Sequence, residues 1–355
     1  MMRPARIALA PLATTALLAL GSGAHAATVP ARPTGPSPPS GNWTLEYADA
    51  FSAPFGTAPG DDNTLYPNRY DDCNLDQGYN SDEMEVFSCT QATIGKNGLS
   101  LTCAYTPNVA ANYGIEQNYT CGAAQGDDPS SAPAGYDFFG WKPGLGQEWA
   151  LQARMRLPYN TGEADPGWWS DGPPWNQEID MLEGFGWEAG TNGTWCDPGT
   201  ANTNGYVGTV VPTWIYDKSP NEAVGASTDI CRDEGFDPSA AMHTYTTVFY
   251  PDNTAAEYID GKAVSWTWVP NGGADCSNTS GTGCSVIGPA SPGSGEWGGL
   301  ILSYALREEA DGDPDPYFTT GARSFKVRYI AVYENATANG ANTFNAGLAP
   351  GTTVR

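Results

Sequence analysis

From Trp43 onward glycine and proline recur so often that little uninterrupted chain is left for helices. The sequence holds 43 glycines and 29 prolines, and they gather in turn-like clusters between short apolar or alternating runs. Leu99–Cys103 alternates in hydrophobicity, as does 150–157, ALQARMRL. HTYTTVFY at 243–250 is rich in threonine and aromatics, which suit a pleated, half-buried surface. Residues 257–259 lead into Asp260-Gly261 and then 262–268, and Asp-Gly between two such runs signals a hairpin. Runs at 300–306 and 325–334 close the series. Many short strands without helices point to an all-β sandwich or jelly roll. The stretches 104–140, 186–240 and 270–296 lack periodicity and are expected to be long loops that build a binding surface.

The ends of the chain are of a different kind. Residues 1–6 are basic, 7–20 are largely apolar, and Ala24-His25-Ala26 is a small-residue cleavage pattern. Together they read as a secretory signal peptide over 1–26, too short for a membrane span. Residues 27–42 are rich in Pro and Ser and read as a stiff linker. A catalytic sandwich domain over 43–340 and a C-terminal tail over 341–355 complete the expected organisation. Eight cysteines, an even number in an exported chain and none at zinc-ligand spacing, predict disulfides, with sequential pairing as the simplest scheme. The formal charge is −24, and loss of Arg3 and Arg6 with the signal makes the remainder more acidic still. Such a chain repels nucleic acid and anionic membranes, and it argues against highly sulfated polysaccharide substrates. A secreted monomer with a polysaccharide substrate is expected.

The segment that carries chemistry is Trp175-Asn176-Gln177-Glu178-Ile179-Asp180-Met181-Leu182-Glu183-Gly184. In a strand Glu178 and Asp180 share one face, whereas Glu183, five residues on, falls on the other. One extra residue at Met181-Leu182, a β-bulge, would restore the phase and bring all three acids to one face. A run of acids on a strand is most often a solvated face, but Ile179, Met181 and Leu182 mark this one as half buried. Crowded carboxylates push at least one pKa upward. Retaining glycoside hydrolysis needs that: one carboxylate ionised for attack and one protonated to release the leaving group, roughly 5–5.5 Å apart. Trp168, Trp169, Trp175 and Trp187 flank the segment, and tryptophan faces suit the C–H faces of sugars. Other chemistries fit less well. His243 is the one histidine beyond the signal and reads as a packed strand residue, and no phosphate or dinucleotide loop is present.

Glu178-Ile179-Asp180-Met181-Leu182-Glu183 resembles the active-site signature of family 16 glycoside hydrolases, in the β-bulge branch of laminarinases, agarases and galactan-cutting enzymes. WTLEYADAF (43–51), SDEMEVFS (81–88), QARMRLP (152–158), Pro166–Trp169, His243–Tyr245, Tyr258–Gly261 and 325–334 resemble further segments of that family in the same order. The resemblance covers about residues 43–335. It implies a concanavalin-like jelly roll, a β-sandwich of two curved antiparallel sheets. It further implies Glu178 as nucleophile, Glu183 as general acid/base and Asp180 as the residue that tunes the nucleophile. Trp169 and Trp175 would be sugar platforms, and Glu83 would bond sugar hydroxyls. The activity implied is a retaining endo-β-glycosidase, first on β-1,3-glucan of the laminarin type. A galactan-type hydrolase or transglycosylase is the alternative, and a non-catalytic carbohydrate-binding sandwich the rival of another class. No cofactor is expected. A structural calcium belongs to the family pattern, but two of its positions depart here, to Ala50 beside Asp49 and to Arg328. The Gly before the first acid is Gln177, and Ala164-Asp165 replaces the usual Trp-Pro pair.

Overall fold

The computed structural model describes residues 43–51, 76–77, 85–110, 116–125, 148–158, 164–171, 177–185, 209–217, 222–228, 236–250, 254–268, 300–306 and 323–335. The segments read as signal, linker and tail lie outside these residues. The described residues form two sheets. The larger contains β1 (Thr44–Asp49), β2 (Asp76–Gln77), β3 (Glu85–Phe87), β4 (Ala92–Gly95), β5 (Gly98–Ala110) and β6 (Glu116–Cys121). It also takes β8 (Glu148–Arg156), β13 (His243–Tyr250), β14 (Thr254–Ile259), β15 (Lys262–Trp268) and β17 (Arg323–Asn335). The smaller contains β7 (Ala123–Gln125), β9 (Ala164–Asp171), β10 (Gln177–Phe185), β11 (Thr209–Asp217), β12 (Glu222–Thr228) and β16 (Leu300–Leu306). One 3-10 turn at Cys89–Gln91 is the only helical element among the described residues.

The larger sheet runs β15-β14-β13-β8-β17-β5-β6-β3-β2, with β1 on β17 and β4 on β5; the smaller runs β12-β11-β10-β9-β16-β7. All the pairings are antiparallel except β3 with β6. This is the expected sandwich. The runs read at 243–250, 262–268 and 300–306 coincide with β13, β15 and β16. Asp260 and Gly261 turn between β14 and β15 with φ of 50° and 81°, the left-handed pair that a two-residue hairpin needs. Asp260 then anchors the turn to β13. Its carboxylate accepts from the Thr244 N–H at 2.9 Å and meets His243 Nδ1 at 2.7 Å. His243 also stacks on Phe236 and so has a packing role, as expected.

Two stretches expected to be loops carry strands. Residues 104–125 hold the end of β5 with β6 and β7, and 209–228 hold β11 and β12. Their sequences are polar or broken by Pro212 and Gly225, so alternation does not reveal them. β6 and β12 form hairpins with β5 and β11, while β7 pairs with β16 and β11 with β10, farther away in sequence.

The core lies between the sheets. Trp168, Leu182, Leu302, Tyr304, Leu151, Met155, Tyr245, Phe325 and Ile330 are buried there. Full burial of such a side chain contributes roughly 1.5–3 kcal/mol. A second buried cluster, with Val248, Tyr258, Tyr329 and Tyr333, covers part of the outer face of the large sheet. Within it Tyr329 Oη donates to Gln152 Oε1, and Gln152 Nε2 donates to Thr246. Cys103 and Cys121 lie opposite each other on β5 and β6 and form a disulfide, as sequential pairing expects. Cys89 is also disulfide-bonded, and no described cysteine is free. The 18-residue separation makes the Cys103–Cys121 bridge worth about 3 kcal/mol through loop entropy. The double serine variant should lose about that much in urea unfolding; an unchanged midpoint would remove the bridge from the stability account.

Candidate active site

Strand β10 lies inside the small sheet, between β9 and β11. Its pairing with β9 settles the phase of the three acids. Glu178 pairs with Asp171, Asp180 with Trp169 and Glu183 with Gly167, which are alternate residues of β9. Ile179 pairs with Ser170 and Leu182 with Trp168, the positions between. Directly paired residues share a face and successive residues of a strand alternate. The positions of Glu178, Asp180 and Glu183 therefore lie on one face.

The register slips by one between Asp180 and Leu182, leaving Met181 as the extra residue. This is the bulge that the spacing of the acids requires. Its local cause lies in the two apolar residues. Met181 and Leu182 are adjacent, yet both are fully buried in the core. A regular strand would send one of them outward. β11 carries the same irregularity. It stays in constant register with β10, from Asp180 opposite Trp214 to Glu183 opposite Val211, but slips against β12 between Val210 and Thr213. The extra residue is thus shared by two neighbouring strands. Pro212, which has no N–H to offer a ladder, falls in this interval.

β16 identifies the face. Leu302 pairs with Trp168, and both are buried in the core between the sheets. Ile301 pairs with Trp169 and Ser303 with Gly167, so the acid positions lie on the face turned away from the core. Asp180 is 8% exposed there. Gly167, in the row of Glu183, presents no side chain beside it. Trp169 and Trp214 flank Asp180 in one cross-strand row, and Tyr216 stands in the row of Glu178. Trp214 and Tyr216 are absent from the sequence-based site because their segment reads as loop. Their i, i+2 spacing in TWIYD was the available signal.

Trp175 and Glu83 lie outside the described residues. Two residues beyond Glu83, Glu85 is buried and accepts from the Leu306 N–H at 2.8 Å, tying β3 of the large sheet to β16 of the small one.

At two positions the chain departs from the calcium pattern that the resemblance implies. Ala50 has no side-chain oxygen. Asp49 Oδ1 is engaged by the Phe51 N–H at 2.6 Å. The Arg328 guanidinium donates to the Lys96 carbonyl at 3.2 Å, and a cation is no ligand for calcium. The melting temperature should not change on chelation or on calcium addition. A rise with millimolar calcium would show a site that these residues do not account for.

No family profile matches the sequence, and no curated protein matches it either. Solved structures do match. The endo-β-1,3-glucanase of Pyrococcus furiosus superposes with a TM-score of 0.56 at 16% identity, over 86% of this chain and 100% of that one. The catalytic domain of an endo-1,3-β-glucanase (laminarinase) from Thermotoga petrophila gives 0.56 at 18%, over 84% and 100%. SCLam, a non-specific endo-β-1,3(4)-glucanase from family GH16, gives 0.54 at 16%, over 85% and 95%. The fold is that of the family 16 glycoside hydrolases. The family 16 fold thus spans nearly all of each neighbour.

Proposed function

We propose that this chain is a secreted retaining endo-β-glycosidase of family 16, acting first on a β-1,3-glucan of the laminarin type. The observation that carries the reading is the register of β10 on β9, which puts Glu178, Asp180 and Glu183 opposite alternate residues on one face. In this reading the Glu178 carboxylate attacks the anomeric carbon as the glycosidic C–O bond breaks. Glu183 gives its proton to the departing oxygen. Glu183, now ionised, takes a proton from water as the water oxygen attacks the same carbon and releases Glu178. The charge that Glu178 carries before the first step helps to hold the proton on Glu183, because adjacent ionised carboxylates repel, and forming the ester removes that charge so that Glu183 can ionise. Asp180, between the two and mostly shielded from solvent, bonds the nucleophile and orients it. Trp169 and Trp214, and Trp175 near the start of the strand, offer faces to successive sugars.

The substrate assignment draws on the neighbours. SCLam was co-crystallised, as a variant, with 1,3-β-D-cellotriosyl-glucose, leaving 1,3-β-D-cellobiosyl-glucose at its active site. Another neighbour, at a TM-score of 0.52, is among the endo-acting O-glycanases that human gut bacteria express to initiate mucin breakdown. The fold therefore serves several polymers, and a galactan-type substrate or transglycosylation is the second reading. Secretion is supported by the leader pattern and the Cys103–Cys121 bridge. Reducing-end release from laminarin, mixed-linkage glucan, agarose, carrageenan and arabinogalactan tests the proposal. Release from laminarin supports it, and release from a galactan alone changes the substrate but not the mechanism. Tight binding without release would make the chain a carbohydrate-binding sandwich.

A further inference from the structure

The outer face of the large sheet gathers positive charge that the overall composition conceals. Arg154 and Arg156 are alternate residues of β8 and share a face, about 6–7 Å apart along the strand. Lys326 on β17 pairs directly with Arg156. Arg328 sits where the register of β17 slips against β8, between Val327 and Tyr329. Its guanidinium reaches the carbonyl of Lys96 in the β4–β5 turn. Gly98 presses that turn onto the slip. It holds φ +102°, and a Cβ there would come within 2.3 Å of the Val327 carbonyl oxygen. Five of the chain's sixteen lysines and arginines are thus brought onto two neighbouring strands and one turn of a protein with net charge −24.

This arrangement carries an electrostatic cost. Like charges directly opposite across two strands are destabilising. Burial, and then the charge of Arg156, hold the Lys326 ammonium below its ordinary pKa. Forty acids were available to neutralise the cluster. Yet among the described residues none of the five pairs with a carboxylate. Lys326 Nζ donates to Ser100 Oγ at 2.6 Å, and Arg328 to a carbonyl. Asp260, whose charge reaches the adjoining Tyr329, is committed to His243 and the Thr244 N–H.

We propose that Lys96, Arg154, Arg156, Lys326 and Arg328 form a binding surface for an anionic polysaccharide, one bearing sulfate or carboxylate groups. The cross-strand row Arg156–Lys326–Ser100–Thr93 sets two hydroxyl residues beside two cations, a pattern for a ligand that carries both anions and hydroxyls. Row members offer no aromatic face on which a nucleic acid base would stack. At physiological ionic strength charges beyond about 8 Å are largely screened, so the acids elsewhere do not cancel so local a patch. The surface belongs to the sheet opposite the acids of β10 and does not rest on the catalytic reading. It would hold the protein on a charged matrix and leave the other sheet free.

The test uses the full chain on immobilised heparin and on immobilised polygalacturonate, near 0.1 M salt, with immobilised dextran, an uncharged α-glucan, as the neutral control. The wild type should be retained by a polyanion and released as salt rises. The triple variant R154Q/R156Q/K326Q should flow through, with the slope of affinity against log salt reduced by about three charges. It should melt no lower than the wild type, since it relieves repulsion. Retention on heparin alone selects sulfate, and retention on both admits carboxylate. Equal retention of the wild type and the triple variant, or no retention of the wild type, overturns the proposal. A concentration-dependent dimer that the triple variant abolishes, with no polyanion bound, overturns it in favour of a second copy of this acidic chain. Should the triple variant fail to fold, R156Q must weaken retention and R156K must restore it.

Discussion

Glu178→Gln should lower turnover of the susceptible polysaccharide by more than about 10⁴-fold, because the amide cannot form the glycosyl ester on which both steps depend. The change is nearly isosteric and removes one charge from a row of three acids. The melting temperature should therefore hold or rise, and binding of the polymer should persist. Binding measured on the inactive variant separates chemistry from recognition. Hydrolysis within tenfold of wild type would remove Glu178 from the mechanism, and with it the claim that the first acid of β10 is the nucleophile.

Glu183→Ala should show a different loss. Natural polymer cleavage should fall by about 10²–10⁴-fold, since the leaving oxygen has no proton donor and the attacking water no base. An aryl glycoside with an acidic leaving group does not need the first of these, so on it the variant should stall at the ester on Glu178. Azide, which needs no base, should then release the sugar as a glycosyl azide with the original anomeric configuration. Azide acceleration with retained configuration supports the double displacement. An inverted product would indicate direct displacement by azide and would count against the covalent step. No acceleration at all would place the acid/base elsewhere.

Much of this site was legible in the sequence because it is local. Glu178, Asp180 and Glu183 lie within one strand, and phase along a strand follows from alternation alone. The five-residue step from Glu178 to Glu183 is enough to require a bulge, and two adjacent apolar residues say where it goes. The strands at 243–250, 262–268 and 300–306 were legible for the same reason. Their β-branched and aromatic runs state their own conformation, and Asp260-Gly261 states the turn.

Strands β6, β7, β11 and β12 were not legible. Proline, glycine and polar residues break their alternation, and β7 and β11 rest on partners farther away in the chain, β16 and β10. That is why Trp214 and Tyr216 escaped notice, although they stand in the rows of Asp180 and Glu178. The shared bulge of β10 and β11 was hidden likewise, since only the pairing with β9 and β12 defines it.

The sequence by itself determined an all-β chain, the three acids, the pair of residues at which their strand must slip, and a net charge that speaks against polyanions. Tertiary structure alone decided which face of the small sheet the acids occupy and which aromatics join them. It also decided that Lys96, Arg156 and Lys326, scattered along the chain, meet on one outer surface. Net charge is a sum that ignores position, whereas electrostatic interaction falls off over a Debye length. Only the pairing of strands distant in sequence brings those charges within that length of one another.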